Sequence, residues 1–209
     1  IRQDSSHIGT RKILTEQTSR LKEYSFEQFE NIKVRGAWKV DLRAGDTFSV
    51  SVNGVRKALE EAEIQQKGDT LELNLDHWTA FKEGGITARI TAPSVRRIET
   101  EGGSKVTLTG FEGETLELDL EGACSLKGVD NTVENVTITA EGAVSINFTD
   151  SLITNAHLQI GGAANVELTM NGGDLTGEME GLGSVTYAGE VRSVEVRTEG
   201  LSSIKRQGM

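Results

Sequence analysis

From Arg96 onward the chain alternates apolar and polar residues in blocks that return at a fixed interval. Set beneath one another, T-E-G-G-S-K-V from Thr100, L-E-G-A-C-S-L from Leu120, A-E-G-A-V-S-I from Ala140, I-G-G-A-A-N-V from Ile160, M-E-G-L-G-S-V from Met179 and T-E-G-L-S-S-I from Thr198 share a glycine at the third place. These glycines, Gly102, Gly122, Gly142, Gly162, Gly181 and Gly200, follow one another at 20, 20, 20, 19 and 19 residues. Four residues after each stands an apolar side chain: Val106, Leu126, Ile146, Val166, Val185 and Ile204. The positions two, four and six before it are mostly apolar as well, and those between are mostly polar. Side chains along a strand alternate between faces. A period of two within a block and of about 20 between blocks therefore predicts strands stacked in parallel into a β-solenoid with a dry interior.

The glycine itself falls at an inward place, and two residues later the inward side chain is small or absent: Ser104, Cys124, Val144, Ala164, Gly183, Ser202. A residue without Cβ lets a strand bend sharply or opposite walls approach, so each glycine marks the corner of a coil. With neighbouring strands roughly 4.8 Å apart, five steps give a rod of about 24 Å.

Upstream the pattern changes. Residues 1–25 read as a polar tail with a candidate edge strand over Ile13 to Thr18. Residues 26–92 read as a more antiparallel β region ahead of the solenoid repeats of 93–209. Ile32, Val34, Trp38, Val40 and Leu42 alternate with polar residues, A-G-D turns the chain at Ala44, and Phe48, Val50 and Val52 alternate again, which predicts a hairpin. Val55 to Gln66 holds good helix formers with a Val55, Ala58, Leu59, Ala62 face. The expectation is one short helical turn and then a strand from Ala62 to Gln66, pairing across the turn at Lys67 with Thr70 to Leu75. Asp76 to Gly85 reads as a loop.

Composition narrows the function. With 36% hydrophobic residues in 209, the chain can bury a sizeable core, and 24 glycines against one proline suit repeated β turns. A formal net charge of −10 argues against nucleic acid and against anionic lipid surfaces. No apolar run approaches the ~18 residues of a membrane span. The single cysteine, Cys124, lies in the small inward column and is expected as a buried free thiol, not a nucleophile. His7, His77 and His157 fit no metal spacing, and N-G-G-D at Asn171 reads as a turn.

Two features are candidates for binding chemistry. One residue before the corner glycines stand Glu101, Glu121, Glu141, Gly161, Glu180 and Glu199. Carboxylates in adjacent coils repel unless solvent, salt or a cation intervenes. Calcium takes such hard oxygens, which makes this column a cation-ladder candidate and calcium the one candidate cofactor. A solvated face that opposes edge pairing is the simpler reading. The second feature is His77, Trp78 and Phe81, expected as a cap over the open end of the core, with a sugar-stacking or protein-binding patch as the alternative. Arg96 and Arg97 beside Glu99 are a candidate for lyase-like chemistry, with a charge-paired edge as the simpler reading, and the paired acids are a candidate for glycosidase-like chemistry. That chemistry needs carboxylates roughly 5–10 Å apart flanking a cleft, one with a raised pKa, and exposed glutamates in rows meet the distance without the environment.

At F-E-N-I-K-V-R-G-A-W-K-V-D-L-R-A-G-D (Phe29 to Asp46), K-G-D-T-L-E-L, Ala92-Pro93-Ser94-Val95 and the repeated E-G corners, the chain from about Phe26 resembles the putative auto-transporter adhesin, head GIN domain family of exported proteins. The resemblance implies a right-handed single-stranded β-helix-like solenoid. It also implies export to the periplasm, outer membrane surface or extracellular space, and a role in adhesion or the cell envelope; it brings no catalytic residues. The expected function is thus a non-enzymatic exported adhesin-like or cell-envelope binding protein, with a carbohydrate or cell-surface protein as partner. A polysaccharide-active β-helix enzyme of lyase or glycosidase type and a structural, self-associating solenoid are the alternatives.

Overall fold

The inward columns read from the alternation form the interior of the molecule. In the computed structural model, which describes residues 20–75 and 85–208, Ile98, Leu118, Ile138 and Leu158 are buried in one column. Val106, Leu126, Ile146, Val166 and Val185 are buried in another. Of the described residues, 77% lie in strands and 3% in helix. Its elements are β1 (Arg20–Tyr24), β2 (Asn31–Arg35), β3 (Lys39–Ala44), β4 (Ser49–Gly54), α1 (Arg56–Glu61), β5 (Glu63–Lys67), β6 (Thr70–Asn74) and β7 (Ile86–Ala92). There follow β8 (Arg97–Gly102), β9 (Lys105–Thr109), β10 (Glu112–Gly122), β11 (Ser125–Asn171), β12 (Asp174–Glu190) and β13 (Ser193–Arg206). All thirteen strands belong to one continuous sheet, wound into a solenoid of about 6 turns.

Each turn is a rung of two arms meeting at a corner glycine. Pairing is parallel and in the register of the repeat: Gly122 lies between Gly102 and Gly142, and Gly181 between Gly162 and Gly200. The corner is tight, because Cys124 Sγ reaches the Glu121 carbonyl at 3.1 Å and Ser202 Oγ donates to the Glu199 carbonyl at 2.9 Å. The corner glycines have positive φ, between 87° and 119°. Glycine alone reaches that region without penalty.

The repeat does not mark every rung. β2 pairs in parallel with β8, Ile32 opposite Ile98, and β3 pairs in parallel with β9, Val40 opposite Val106. Their corner is Gly36, whose carbonyl accepts from the Gly103 amide at 3.2 Å. Beneath this rung lies another made of β6 and β7, again parallel. Rungs consecutive in space are therefore not consecutive in sequence: β2–β3 is inserted between β6–β7 and β8–β9.

The hairpin expected from Ile32 to Val52 is not formed. β3 and β4 are separated by β7, which pairs in parallel with β3 and antiparallel with β4. Alternation reports which face a side chain occupies and not which strand lies beside it, and here burial of both edges of β7 outweighs the short turn. Antiparallel pairing does close this end of the solenoid, through β1 on β4 and β5 on β6. The β5–β6 pair is the one expected across Lys67, and α1 is the expected helical turn, burying Ala58 and Leu59. Phe29 and Phe48 pack edge to face with ring centroids 5.0 Å apart in the same end of the core.

One bend away from the glycine corner is held by buried polar groups. Asn131 Oδ1 accepts from the Phe111 amide at 2.9 Å, while its Nδ2 donates to the Leu108 carbonyl and to Ser151 Oγ, both at 3.0 Å. Every group of that amide has a partner, as burial requires.

Candidate functional site

The acidic column lies on the outer surface, one residue before the corners, because a residue flanking an inward glycine must point outward. Glu101, Glu121 and Glu141 occupy successive rungs in direct register, as do Glu180 and Glu199, with Gly161 interrupting the row. At its lower end the column is neutralised by the inserted rung. Glu101 pairs with Arg35 Nε at 2.9 Å and Lys33 Nζ at 3.4 Å, and Glu99 pairs with the same Lys33 at 2.5 Å. Arg97 bridges upward, with Nη2 at 2.5 Å from Asp119 and Nη1 at 3.6 Å from Glu117, and holds Glu99 at 3.0 Å. Arg96 faces away to Glu30 at 3.0 Å.

A shallow hollow of about 290 Å³ opens over this network, floored by Thr100 and Leu120 and rimmed by Arg97, Asp119, Glu121 and Glu141. Glu121 and Glu141 have no ion-pair partner among the described residues, nor do Glu180 and Glu199. The face therefore runs from a charge-paired base to an uncompensated acidic stretch. The Arg35 guanidinium holds the Glu101 carboxyl below the usual carboxylate range, and the hydrogen bond to Glu99 raises the Lys33 ammonium above its ordinary value against the opposing effect of burial. Among the described residues no group of three or more His, Cys, Asp or Glu side chains converges as a metal ion requires.

A second hollow, of about 590 Å³, lies further along the same arm between His157, Gln159, Glu178 and Arg197. His157 is exposed, and its Nδ1 lies 3.0 Å from Thr176 Oγ1. Gly177 also lines this hollow, with φ at +127° and an added Cβ 1.9 Å from the Leu158 carbonyl oxygen. Cys124 is buried, its Sγ 3.0 Å from Thr100 Oγ1. His77, Trp78 and Phe81 lie outside the described residues, as does the candidate strand over Ile13 to Thr18.

Three further features emerge in the structure. Lys33 and Arg35 stand in the same columns as Glu99 and Glu101; laying N-I-K-V-R-G over R-I-E-T-E-G, base over acid, would have revealed them. Asn131 and Ser151 are 20 residues apart in register, a polar repeat hidden among apolar ones. Leu182 and Leu201, 54% and 81% exposed, stack outside the last two corners, where the three rungs before them carry alanine.

Residues 28–190 match the protein family described as putative auto-transporter adhesin, head GIN domain. Solved structures of similar fold include a putative adhesin from Bacteroides fragilis, 16% identical, with a TM-score of 0.71 over 91% of this chain and 98% of that one. A putative lipid binding protein from Parabacteroides distasonis is 13% identical, with a TM-score of 0.53 over 92% and 98%. A putative adhesin from the same organism is 15% identical, with a TM-score of 0.51 over the same shares. No curated protein matches the chain.

Proposed function

The chain belongs to the putative auto-transporter adhesin, head GIN domain family, and from that we propose that it is an exported, non-enzymatic adhesin-like protein of the cell envelope. It binds a carbohydrate or a cell-surface protein along the outer face beside the corner column. The observation that carries this reading is the face itself: a long, shallow, rigidly spaced array of carboxylates, charge-paired at Glu99 and Glu101 and uncompensated at Glu121 and Glu141. A repeated array of fixed outward groups suits an extended ligand touched weakly at many points. The uncompensated carboxylates suit a basic ligand or one bridged by calcium.

The charges speak against acid–base catalysis on this face. A glycosidase needs one carboxyl raised in pKa, whereas on this face the Glu72 and Glu101 carboxyls are held low, first by hydrogen bonds from Lys67 and Arg35. Arg97 is committed to Glu99, Glu117 and Asp119.

The test is a glycan array probed with the purified chain, with calcium and then with chelator, scoring both retention and release of reducing or unsaturated ends. Retention that falls in the double variant E121Q/E141Q supports the reading. Released product would replace it with the enzymatic one, and absence of both would remove carbohydrate as the ligand.

A further inference from the structure

The two ends of the solenoid differ. One is closed by the antiparallel strands β1, β4 and β5. At the other, β13 pairs only with β12 among the described residues. The column buried in the earlier repeats as Val106, Leu126, Ile146, Val166 and Val185 is only half-buried here at Ile204, as is Val196, and Val194, whose column is buried as Leu116, Val136, Ala156 and Leu175, is 36% exposed. An unpaired strand of 14 residues is a template for another strand. Its geometry specifies which one.

Along the arms beside the corner the backbone amides at odd distances from the glycine bond to the rung below: Ala123 to the Gly102 carbonyl, Ser125 to Ser104, Glu117 to Arg96 and, just past β13, Gln207 to Tyr187. The N–H and C=O of one strand residue point the same way, and successive residues alternate. The groups left open along β13 therefore belong to residues at even distances from Gly200: Val194, Val196, Thr198, Ser202, Ile204 and Arg206.

We propose that β13 pairs antiparallel with β13 of a second copy of this chain, about a two-fold axis through the Gly200 corners, giving an end-to-end dimer. The corner dictates the register. A bent strand meets its copy along its whole length only if the corners coincide, and the two-fold then lays the arm before Gly200 on the partner's arm after it. Val196 falls opposite Ile204 of the partner subunit and Thr198 opposite Ser202 of the partner subunit, so each pairing joins two residues whose backbone groups are open. Six such pairs form about a dozen hydrogen bonds. Val196 and Ile204 of the two copies then face one another and continue the core across the junction, while Val194 falls opposite Arg206 of the partner subunit. On the outer face Glu195 falls opposite the partner's Lys205, and the symmetry repeats the contact, so two opposite-charge pairs flank the corner. The closed end offers no equal partner, because its outermost strands run against the rungs and β1 and β5 have 5 residues each.

The experiment measures mass by light scattering and sedimentation over a wide concentration range. The native chain is expected to move from one to two chain masses. E195K or K205E alone sets like charges opposite one another twice and weakens association about tenfold, and E195K/K205E together restores it. Register is tested separately with cysteine pairs in a Cys124→Ala background. E195C/K205C is expected to give a disulfide-linked dimer on oxidation, whereas E195C/S203C, shifted out of register, is not. Circular dichroism melts establish that each variant is folded. A chain that stays monomeric at the highest concentration, or that cross-links equally in both registers, overturns the proposal. So does a dimer indifferent to both single charge reversals.

Discussion

Gly142 lies directly over Gly122: a Cβ built on Gly142 would stand 2.5 Å from the Gly122 carbonyl oxygen. The same relation joins Gly122 to Gly102 at 2.6 Å and Gly162 to Gly142 at 2.6 Å. The repeated glycine thus does two things at once: it turns the chain at φ near +100°, and it lets successive backbones stack without a side chain between them. Gly142→Ala is expected to cost about 3 kcal/mol and to lower the melting midpoint by roughly 6–12 °C. Gly161→Ala, one residue outside a corner with nothing within 4 Å of the added carbon, should stay within about 0.5 kcal/mol of the parent. Thermal melts of the pair check the contrast, and equal midpoints would refute the corner assignment.

Asn131→Ala leaves the Phe111 amide and the Leu108 carbonyl buried without this partner. The expected loss is about 2–3 kcal/mol, larger than for an exposed asparagine, since unpaired buried groups keep their full desolvation cost. Chemical denaturation should show it as a lower midpoint. Faster amide exchange should appear at Phe111 first.

The ion pairs at the base of the acidic face predict a pH dependence. Glu101 is held below its ordinary value of 4.5, so its contribution is complete above that pH and is lost as pH falls through the lower folded value. Lys33 is raised above 10.5, so its contribution is complete below that pH and is lost as pH rises through the higher folded value. Both groups are partly exposed, and E101Q should therefore cost only about 0.5 kcal/mol at about pH 7. That difference from the native chain should shrink towards zero in strong acid, as the folded carboxyl is protonated. Parallel melts at the two pH values provide the measurement; a gap that widens in acid would contradict the assignment.

Cys124 is 4% exposed and bonded to Thr100, so a thiol reagent should modify it only as the chain unfolds. Cys124→Ala, the residue Ala164 already supplies two rungs on, is expected to stay within about 1 kcal/mol of the parent. Rapid labelling of the native chain would show that this corner opens.

The repeat was legible in the chain because each rung uses the same few inward places and the same glycine. Ile98, Leu118, Ile138 and Leu158 could be stacked on paper as they stack in the fold. The pairing of β3 was not, since Val40 alternates identically whether its neighbour is Val50 across a turn or Ala88 from a later strand. The inserted rung escaped notice because its partner in the sheet is 66 residues away, and its corner reads R-G-A where the repeat reads E-G. For the same reason the acidic column looked uncompensated throughout, when Lys33 and Arg35 neutralise its base. Asn131 was hidden by the ordinary rule that inward places are apolar.

The insertion of β2–β3 between β6–β7 and β8–β9 also divides the molecule mechanically. A pull on the C-terminal side meets rungs stacked in chain order, which can peel singly, each releasing about 20 residues or roughly 70 Å of extended chain. On the other side, β2 and β3 are trapped between segments that follow them in the chain, so no N-terminal rung can be drawn out before its neighbours on both sides have yielded. Under tension the C-terminal coils act as an extensible tether, and the interleaved end holds as a clamp.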